Sequence, residues 1–183
     1  MVDILNLSGV EKKFSPDDTI VSKTNEKGII TYVNETFLDI SEFREDELLG
    51  KPHNMIRHPA MPRAIFRLLW NSLKDDQEIF TYVLNRTKFN NYYWVLAHVA
   101  PTHNEKGEII GYHSVRRVPN AESLAVIKPL YKRIKQLEDE ISSPKEATDR
   151  GFEILNAFMK EQDIRYDKYM YKLQTMLPGG FAS

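Results

Sequence analysis

Ten consecutive residues hold most of the directional polar chemistry of this sequence: His53-Asn54-Met55-Ile56-Arg57-His58-Pro59-Ala60-Met61-Pro62. Proline at 59 disfavours the α region for the residue before it, so Arg57 and His58 are expected at a break in the chain rather than inside a helix. A break of this kind projects side chains into whatever space lies beside it. A guanidinium next to an imidazole suits an anionic partner, such as a phosphate or a reduced, negatively charged ring. His53 and His58 are five residues apart. That spacing is poor for one helical face and weighs against a two-histidine metal clamp.

Three further residues could serve the same space. Asn85 falls within a strand-like run, where asparagine is disfavoured, so a polar role in a pocket is expected of it. Trp70 sits on an apolar helix face, where it suits core packing or ring contact with a cofactor. Asn34 ends a strand, where it suits a helix cap or a ligand contact. His98, His103 and His113 fall on two strands and a turn and read as surface or core histidines. No nucleophile, base and orienting group occur together, so no enzyme is expected.

The elements that must position these residues are legible from pattern. Residues 19–24 and 29–33 are β-branched runs separated by the turn-like Asn25-Glu26-Lys27-Gly28. Short helical pieces follow at 35–40 and 44–49, with Gly50 as a stop. Pro62 suits a first helical position. After it, Ile65, Phe66, Leu69, Trp70 and Leu73 recur at helical spacing. Strands are expected at 78–86, 91–102 and 108–118, where Phe80, Tyr82 and Leu84, then Tyr93, Val95, Ala97 and Val99, then Ile110, Tyr112 and Ser114 alternate. Clustered strands with helices segregated between them imply an α+β fold. It would be a five-stranded antiparallel sheet with helices on one face and a small cavity between the layers.

The pattern changes after residue 119. Ile127, Leu130, Ile134, Leu137 and Ile141 keep heptad spacing. Ser142-Ser143-Pro144 breaks it, and Ser143 with Glu146 forms a capping box with Pro144 at the first position. A second series runs through Phe152, Leu155, Met159, Gln162, Tyr166, Tyr169, Leu173 and Met176. A C-terminal helical hairpin or coiled-coil extension is expected, with Tyr166, Tyr169, Met170 and Met176 as an adaptable docking surface. The linear division is an N-terminal cap (1–14), a central α+β domain (15–118) and the helical extension (119–183).

Composition sets the remaining bounds. The 183 residues are 42% hydrophobic, with 25 basic and 26 acidic side chains and a net charge of -1. No basic excess favours nucleic acid. The absence of cysteine excludes disulfides, thiolate metal sites and a cysteinyl-flavin photoadduct. The chain lacks an apolar run long enough for a bilayer and lacks a signal peptide, which points to the cytoplasm.

Over residues 15–118 the sequence resembles a PAS sensor domain. It is similar to the flavin-binding PAS domains of bacterial aerotaxis and energy-taxis (Aer-like) receptors. The resemblance is carried by Tyr32-Val33-Asn34-Glu35-Thr36-Phe37, Glu47-Leu48-Leu49-Gly50-Lys51-Pro52, the 53–62 run, Trp70, Asn85-Arg86, Tyr93-Trp94-Val95 and Gly111-Tyr112. It implies non-covalent FAD that reports redox state, with Arg57, His58, Trp70 and Asn85 at FAD-binding positions and His53 and Asn34 on the pocket side. The family usually has an acidic residue where this chain has Ala60, so a carboxylate that would orient the neighbouring imidazole is missing. The chain looks like the free-standing PAS subunit of a two-protein energy-taxis system. That implies a membrane-anchored chemoreceptor-like partner or a homodimer, and no direct membrane insertion. A haem-based gas sensor using His53 or His58, and a cofactor-free interaction module, are the alternative readings.

Overall fold

The computed structural model describes residues 7–176. Five strands form one antiparallel sheet in the order β2-β1-β5-β4-β3. They are β1 (Ile20–Asn25), β2 (Ile30–Val33), β3 (Ile79–Arg86), β4 (Tyr92–His103) and β5 (Ile109–Arg117). Helices α1 (Glu35–Ser41) and α2 (Glu45–Leu48), a 3-10 turn (His53–Ile56) and α3 (Arg63–Lys74) lie between β2 and β3. The expected order of elements is therefore the observed one.

Register fixes what each face carries. Asn85 lies opposite Tyr93, Ala97 opposite Arg116, Val99 opposite Ser114, and Ser114 opposite Ser22. Because side chains alternate along a strand, these residues share one face with Ile20, Val83 and Val95. We call it the inner face.

One segment closes both edges of this sheet. Along β2, Gly50 N donates to Ile30 O, Ile30 N to Lys51 O, and His53 N to Gly28 O, each at 2.9 Å. Along β3, Arg57 bridges Asn85 and His58 N donates to Leu84 O at 3.3 Å. Residues 50–58 thus run from one edge strand to the other as a strap. The arrangement satisfies edge amides and carbonyls that would otherwise template another strand. Arg57 has extended backbone (φ -66, ψ 128), the break that Pro59 led us to expect. The N-terminal segment is tied down separately. Lys12 N donates to Tyr92 O at 2.7 Å, and Glu42 Oε1 accepts from Lys12 Nζ at 2.9 Å while its other oxygen accepts from Thr87 Oγ1. The Thr87 hydroxyl above all holds the Glu42 carboxyl below its ordinary range.

The chain forms two compact units. One is the sheet unit, Ser8–Pro59 with Ser72–Val118. The other gathers Ala60–Asn71, most of α3, with the helices that follow Pro119. The compact units therefore cut the chain differently from its linear division. In the helical unit, α4 (Ala121–Glu140) and α5 (Pro144–Gln162) pack as a hairpin. Ser143 Oγ accepts from Glu146 N with Pro144 at the helix start, which is one half of the expected capping box. The second stripe is not one helix. It breaks at Asp163, whose φ is +49, and resumes as α6 (Tyr166–Met176). Asparagine 120 holds α6 in place: its Nδ2 donates to Leu173 O and Gln174 O, at 3.2 and 3.1 Å. The aromatic cluster read as a docking surface is largely used here instead. Tyr166 is buried with its hydroxyl 3.1 Å from that of Tyr131, Met170 is buried, and Tyr169 packs edge-on against Phe158. Residues 1–6 and the tail from 177, which includes Pro178-Gly179-Gly180-Phe181, lie outside the described residues.

Close approach of β1 to β5 requires Gly111. A Cβ added there would stand 2.2 Å from Thr24 O. Gly111→Ala is expected to force the strands apart and lower stability by about 1–3 kcal/mol, the usual range for overpacking. Urea denaturation midpoints of the two proteins check this.

Candidate functional site

The inner face of the sheet has an apolar floor with a polar cluster set into it. Arg116 on β5 is 4% exposed, Asn85 on β3 is 3% exposed, Ser114 is 5% exposed and Tyr93 on β4 is fully buried. Strand alternation delivers all four to the same side. Arg116 Nη2 donates to Ser22 Oγ at 3.0 Å and lies 2.7 Å from His53 Nε2. His53 comes from the strap, where its backbone is fixed to Gly28. Its ring also packs edge-on against Phe37 of α1, 6.1 Å between centroids, and the Arg116 guanidinium lies over the Phe37 ring at 5.5 Å. Three elements and the strap therefore converge on one guanidinium.

The electrostatics of this cluster are unusual. Among the described residues no carboxylate pairs with Arg116. Burial lowers its pKa to about 10. A guanidinium only donates hydrogen bonds, so His53 Nε2 must be the acceptor and the imidazole is neutral with its proton on Nδ1. Burial first, and the Arg116 charge second, hold the His53 pKa down to about 3. Part of His53 reaches solvent, but its ring is enclosed by Arg116, Ser22 and Phe37. Burial pushes the Tyr93 phenol well above its ordinary range; Arg116 and Asn85 offset only part of this.

Among the described residues four buried polar atoms here complete no hydrogen bond: Asn85 Nδ2, Tyr93 Oη, Ser114 Oγ and Arg116 Nη1. Asn85 and Tyr93 face each other across the β3–β4 ladder, near enough to influence each other without closing a bond. Buried polar atoms are normally satisfied, and each exception costs about 1–3 kcal/mol. Two of the four groups, the guanidinium and the amide nitrogen, are obligate donors, and the two hydroxyls can donate. The set is complementary to a ligand rich in acceptors and tolerant of negative charge.

The residues expected from sequence are distributed as follows. His53 and Asn85 are in the cluster. Arg57 joins the site through its backbone bridge to Asn85. His58 is buried beside it, its ring edge-on to Tyr92 at 6.2 Å. Asn34, expected on the pocket side, is spent on the fold instead. Its Oδ1 accepts from Val21 N and Phe37 N, and its Nδ2 donates to Thr19 O at 2.7 Å, so it clasps β1 to the start of α1. Trp70 is half-buried on α3, in the helical unit. Arg116 and Ser22 were not anticipated. The signal for Arg116 was present: it is the next step in the alternation Ile110, Tyr112, Ser114.

Residues 30–116 match the model of the PAS fold family. The sheet unit has the PAS fold. It is 42% identical over 118 residues to the aerotaxis receptor of Escherichia coli K12; the match takes in 64% of this chain but only 23% of that receptor. Phototropin-1A of Oryza sativa subsp. japonica is 26% identical over 80 residues, which are 44% of this chain and 9% of its own. The dark structure of the blue-light photoreceptor Aureochrome1 LOV superposes with a TM-score of 0.52 at 21% identity, over 65% of this chain and 86% of that one. That last likeness is one of fold. No helix among the described residues is long and apolar enough to cross a membrane.

The neutral, enclosed imidazole of His53 has a consequence for acid stability. The ordinary histidine pKa is 6.5 and the folded value is about 3, so between these the unfolded chain binds the extra proton. Stability therefore rises with pH across this window and falls as the solution is acidified through it. His53→Gln, which keeps an acceptor for Arg116, is expected to flatten the slope between pH 6.5 and 3. Denaturation midpoints followed across that range in wild type and variant check it.

Proposed function

We propose that this protein is a redox sensor that binds FAD non-covalently on the inner face of its PAS sheet. The observation that carries the reading is the set of unpartnered buried donors around Arg116. The polar edge of an isoalloxazine ring presents carbonyl oxygens and ring nitrogens, acceptors of the kind this cluster lacks. In bound form the flavin would supply reversible electron uptake. The residues would then have distinct tasks. Arg116 and Asn85 bind the polar edge. Ser22 and neutral His53 hold the guanidinium in place, and Phe37 covers it from the side. Arg57 and His58 keep the strap closed over β3, and Arg57, paired with Asn85, supplies cationic surface to the rest of the ligand. The lost family carboxylate at Ala60 falls outside this set, so the polar edge is complete without it.

A haem reading is supported less well. His53 Nε2 already accepts from Arg116 at 2.7 Å, and a guanidinium beside an axial nitrogen opposes metal ligation. A pocket filled wholly by its own side chains would not leave four polar atoms unsatisfied. We further infer a sensor rather than a catalyst, acting in the cytoplasm. Its output would reach a membrane-anchored chemoreceptor-like partner, or a second copy, through the C-terminal helices. The relative that is a receptor by name supports this direction.

Two measurements test the binding reading. Heat-denatured protein is expected to release FAD, identified by chromatography; a preparation that is colourless and takes up no added FAD sinks the proposal. Arg116→Met removes the buried charge at similar volume. Since an unpaired buried cation costs stability, the ligand-free variant is expected to be as stable as wild type or more so, by up to about 4 kcal/mol. Its uptake of FAD is expected to fall at least about tenfold, the loss of one charge-assisted bond. Full uptake by Arg116→Met would remove Arg116 from the site.

A further inference from the structure

The two turns that separate the C-terminal helices are built differently. Between α4 and α5 stands Ser142-Ser143-Pro144, where the Ser143 hydroxyl caps α5 and the proline bars α4 from running on. Between α5 and α6 there is no such stop. Residues 152–176 contain neither proline nor glycine. One residue makes the break: Asp163, in the left-handed region (φ 49, ψ 38), which a Cβ disfavours. The apolar series Phe152, Leu155, Met159, Tyr166, Tyr169 and Leu173 runs through it in helical phase. With Asp163 right-handed, α5 and α6 would join into one helix over residues 144–176. Lengthening an existing helix needs no new nucleus. It would also set Glu161 and Arg165 on adjacent turns, in the favourable order of charges.

What opposes joining is the contact of α6 with α4. Asn120 Nδ2 donates to Leu173 O and Gln174 O, and Ser123 Oγ donates to Leu173 O at 2.9 Å. Gln174 Oε1 accepts from Asn120 N at 3.1 Å. The start of α4 thus satisfies carbonyls at the end of α6 that have no partner within that helix. At the other end of the contact the hydroxyls of Tyr131 and Tyr166 lie 3.1 Å apart. Ser123, Ile127 and Tyr131 share one face of α4, and Tyr166, Met170 and Leu173 share one face of α6; all six are buried. At 11 residues, α6 is shorter than the roughly 12–15 that an isolated helix needs. It is therefore ordered either against α4 or as the continuation of α5.

The other helices of this unit do not share that freedom. Glu138 of α4, 1% exposed, accepts from Arg63 N at 2.7 Å and from Ala64 N at 2.8 Å. Gly151 of α5 lies so close that a Cβ there would stand 2.7 Å from Glu138 Oε1. Both α4 and α5 are pinned with α3, whereas α6 is attached by one face.

We propose that α6 is an exchangeable arm: the α4 face of Ser123, Ile127 and Tyr131 is its binding site, and the second occupant of that site is α6 of another copy of this chain. When α5 and α6 join, the tip of α6 is carried about 20 Å beyond Asp163 along the axis of α5. Its own α4 face is then left bare. The surface that matches that face in apolar side chains and hydrogen bonds is another chain's α6, and reciprocal exchange closes a two-fold dimer. The contacts between α4 and α6 are the same in both forms, so concentration and the hinge residue set the balance. This names the contact behind the second-copy reading of the C-terminal helices. It rests on no ligand, and a failure of FAD uptake leaves it untouched.

The test is the dimerisation constant of the full chain, by sedimentation equilibrium. Asp163→Ala penalises the left-handed break and is expected to raise the constant by about tenfold or more. Asp163→Gly, relaxed at positive φ, is expected to lower it by a similar factor. Asp163→Gln repeats the first change if the alanine variant folds poorly. The chain has no cysteine, so exchange can be read directly. Chains carrying Asp163→Ala with Glu122→Cys are mixed with chains carrying Asp163→Ala with Lys172→Cys and treated with a short thiol crosslinker. Both positions are exposed and adjoin the bonded Ser123 and Leu173. A crosslinked pair that neither chain gives alone is expected. Equal dimerisation constants across the hinge variants overturn the proposal. So does a dimer in which positions 122 and 172 fail to crosslink, since its contact then lies elsewhere.

Discussion

The structure of the sheet unit depends on a guanidinium buried without a carboxylate. Arg116 is surrounded by a neutral imidazole, a serine hydroxyl and an aromatic ring, none of which cancels its charge. Such an arrangement costs stability relative to an apolar residue of the same volume. The same placement explains its neighbours. Neutral His53 follows from having a donor-only partner at 2.7 Å. Asn85 Nδ2 and Tyr93 Oη, beside it on the same face, complete no hydrogen bond among the described residues.

Arg116 is held by packing, whereas His53 is held by the strap, and the strap is held by backbone. Its bonds to Ile30 and Gly28 on one edge and to Leu84 on the other are independent of which side chains it carries. Backbone bonds of this type let residues 53–58 vary in chemistry while the position of the segment stays fixed. Asn34 adds a local clasp, joining Thr19, Val21 and Phe37 so that Phe37 stands beside the guanidinium. A residue that resembles a pocket ligand thus contributes by positioning the wall of the pocket.

Much of this was readable without coordinates, for identifiable reasons. The strands were legible because alternation with β-branched and aromatic residues is a local signal. The break around His58 was legible because proline acts on its immediate neighbour. Asn85 stood out because asparagine has no ordinary business in a strand centre. Arg116 did not, because an arginine near a strand end usually reaches solvent, and only the register against Ala97 shows that it turns inward. The C-terminal stripes misled in two places. A series that continues in helical phase cannot report a helix break at Asp163, since a short αL step preserves the apolar spacing on both sides. Heptad counting also chose Leu137, which is half-buried, over Glu138, because it assumes an apolar residue at each buried position.

Glu138 and Arg116 make a useful contrast. Both are charges removed from water, and neither has an oppositely charged side chain as a partner. Glu138 has two amides, one for each oxygen, and a glycine opposite that leaves no space beyond. Its hydrogen-bonding capacity toward α3 is used, and a ligand would have nowhere to sit. Arg116 has one nitrogen engaged and the other unpartnered, with Asn85, Tyr93 and Ser114 unsatisfied around it. A buried charge whose geometry is closed fixes the position of the elements it joins. One whose geometry is open, among other open groups of matching sense, describes the ligand that would close it. By that criterion the donor-rich inner face of the sheet fits the ligand we propose, and Glu138 fixes the helices it joins.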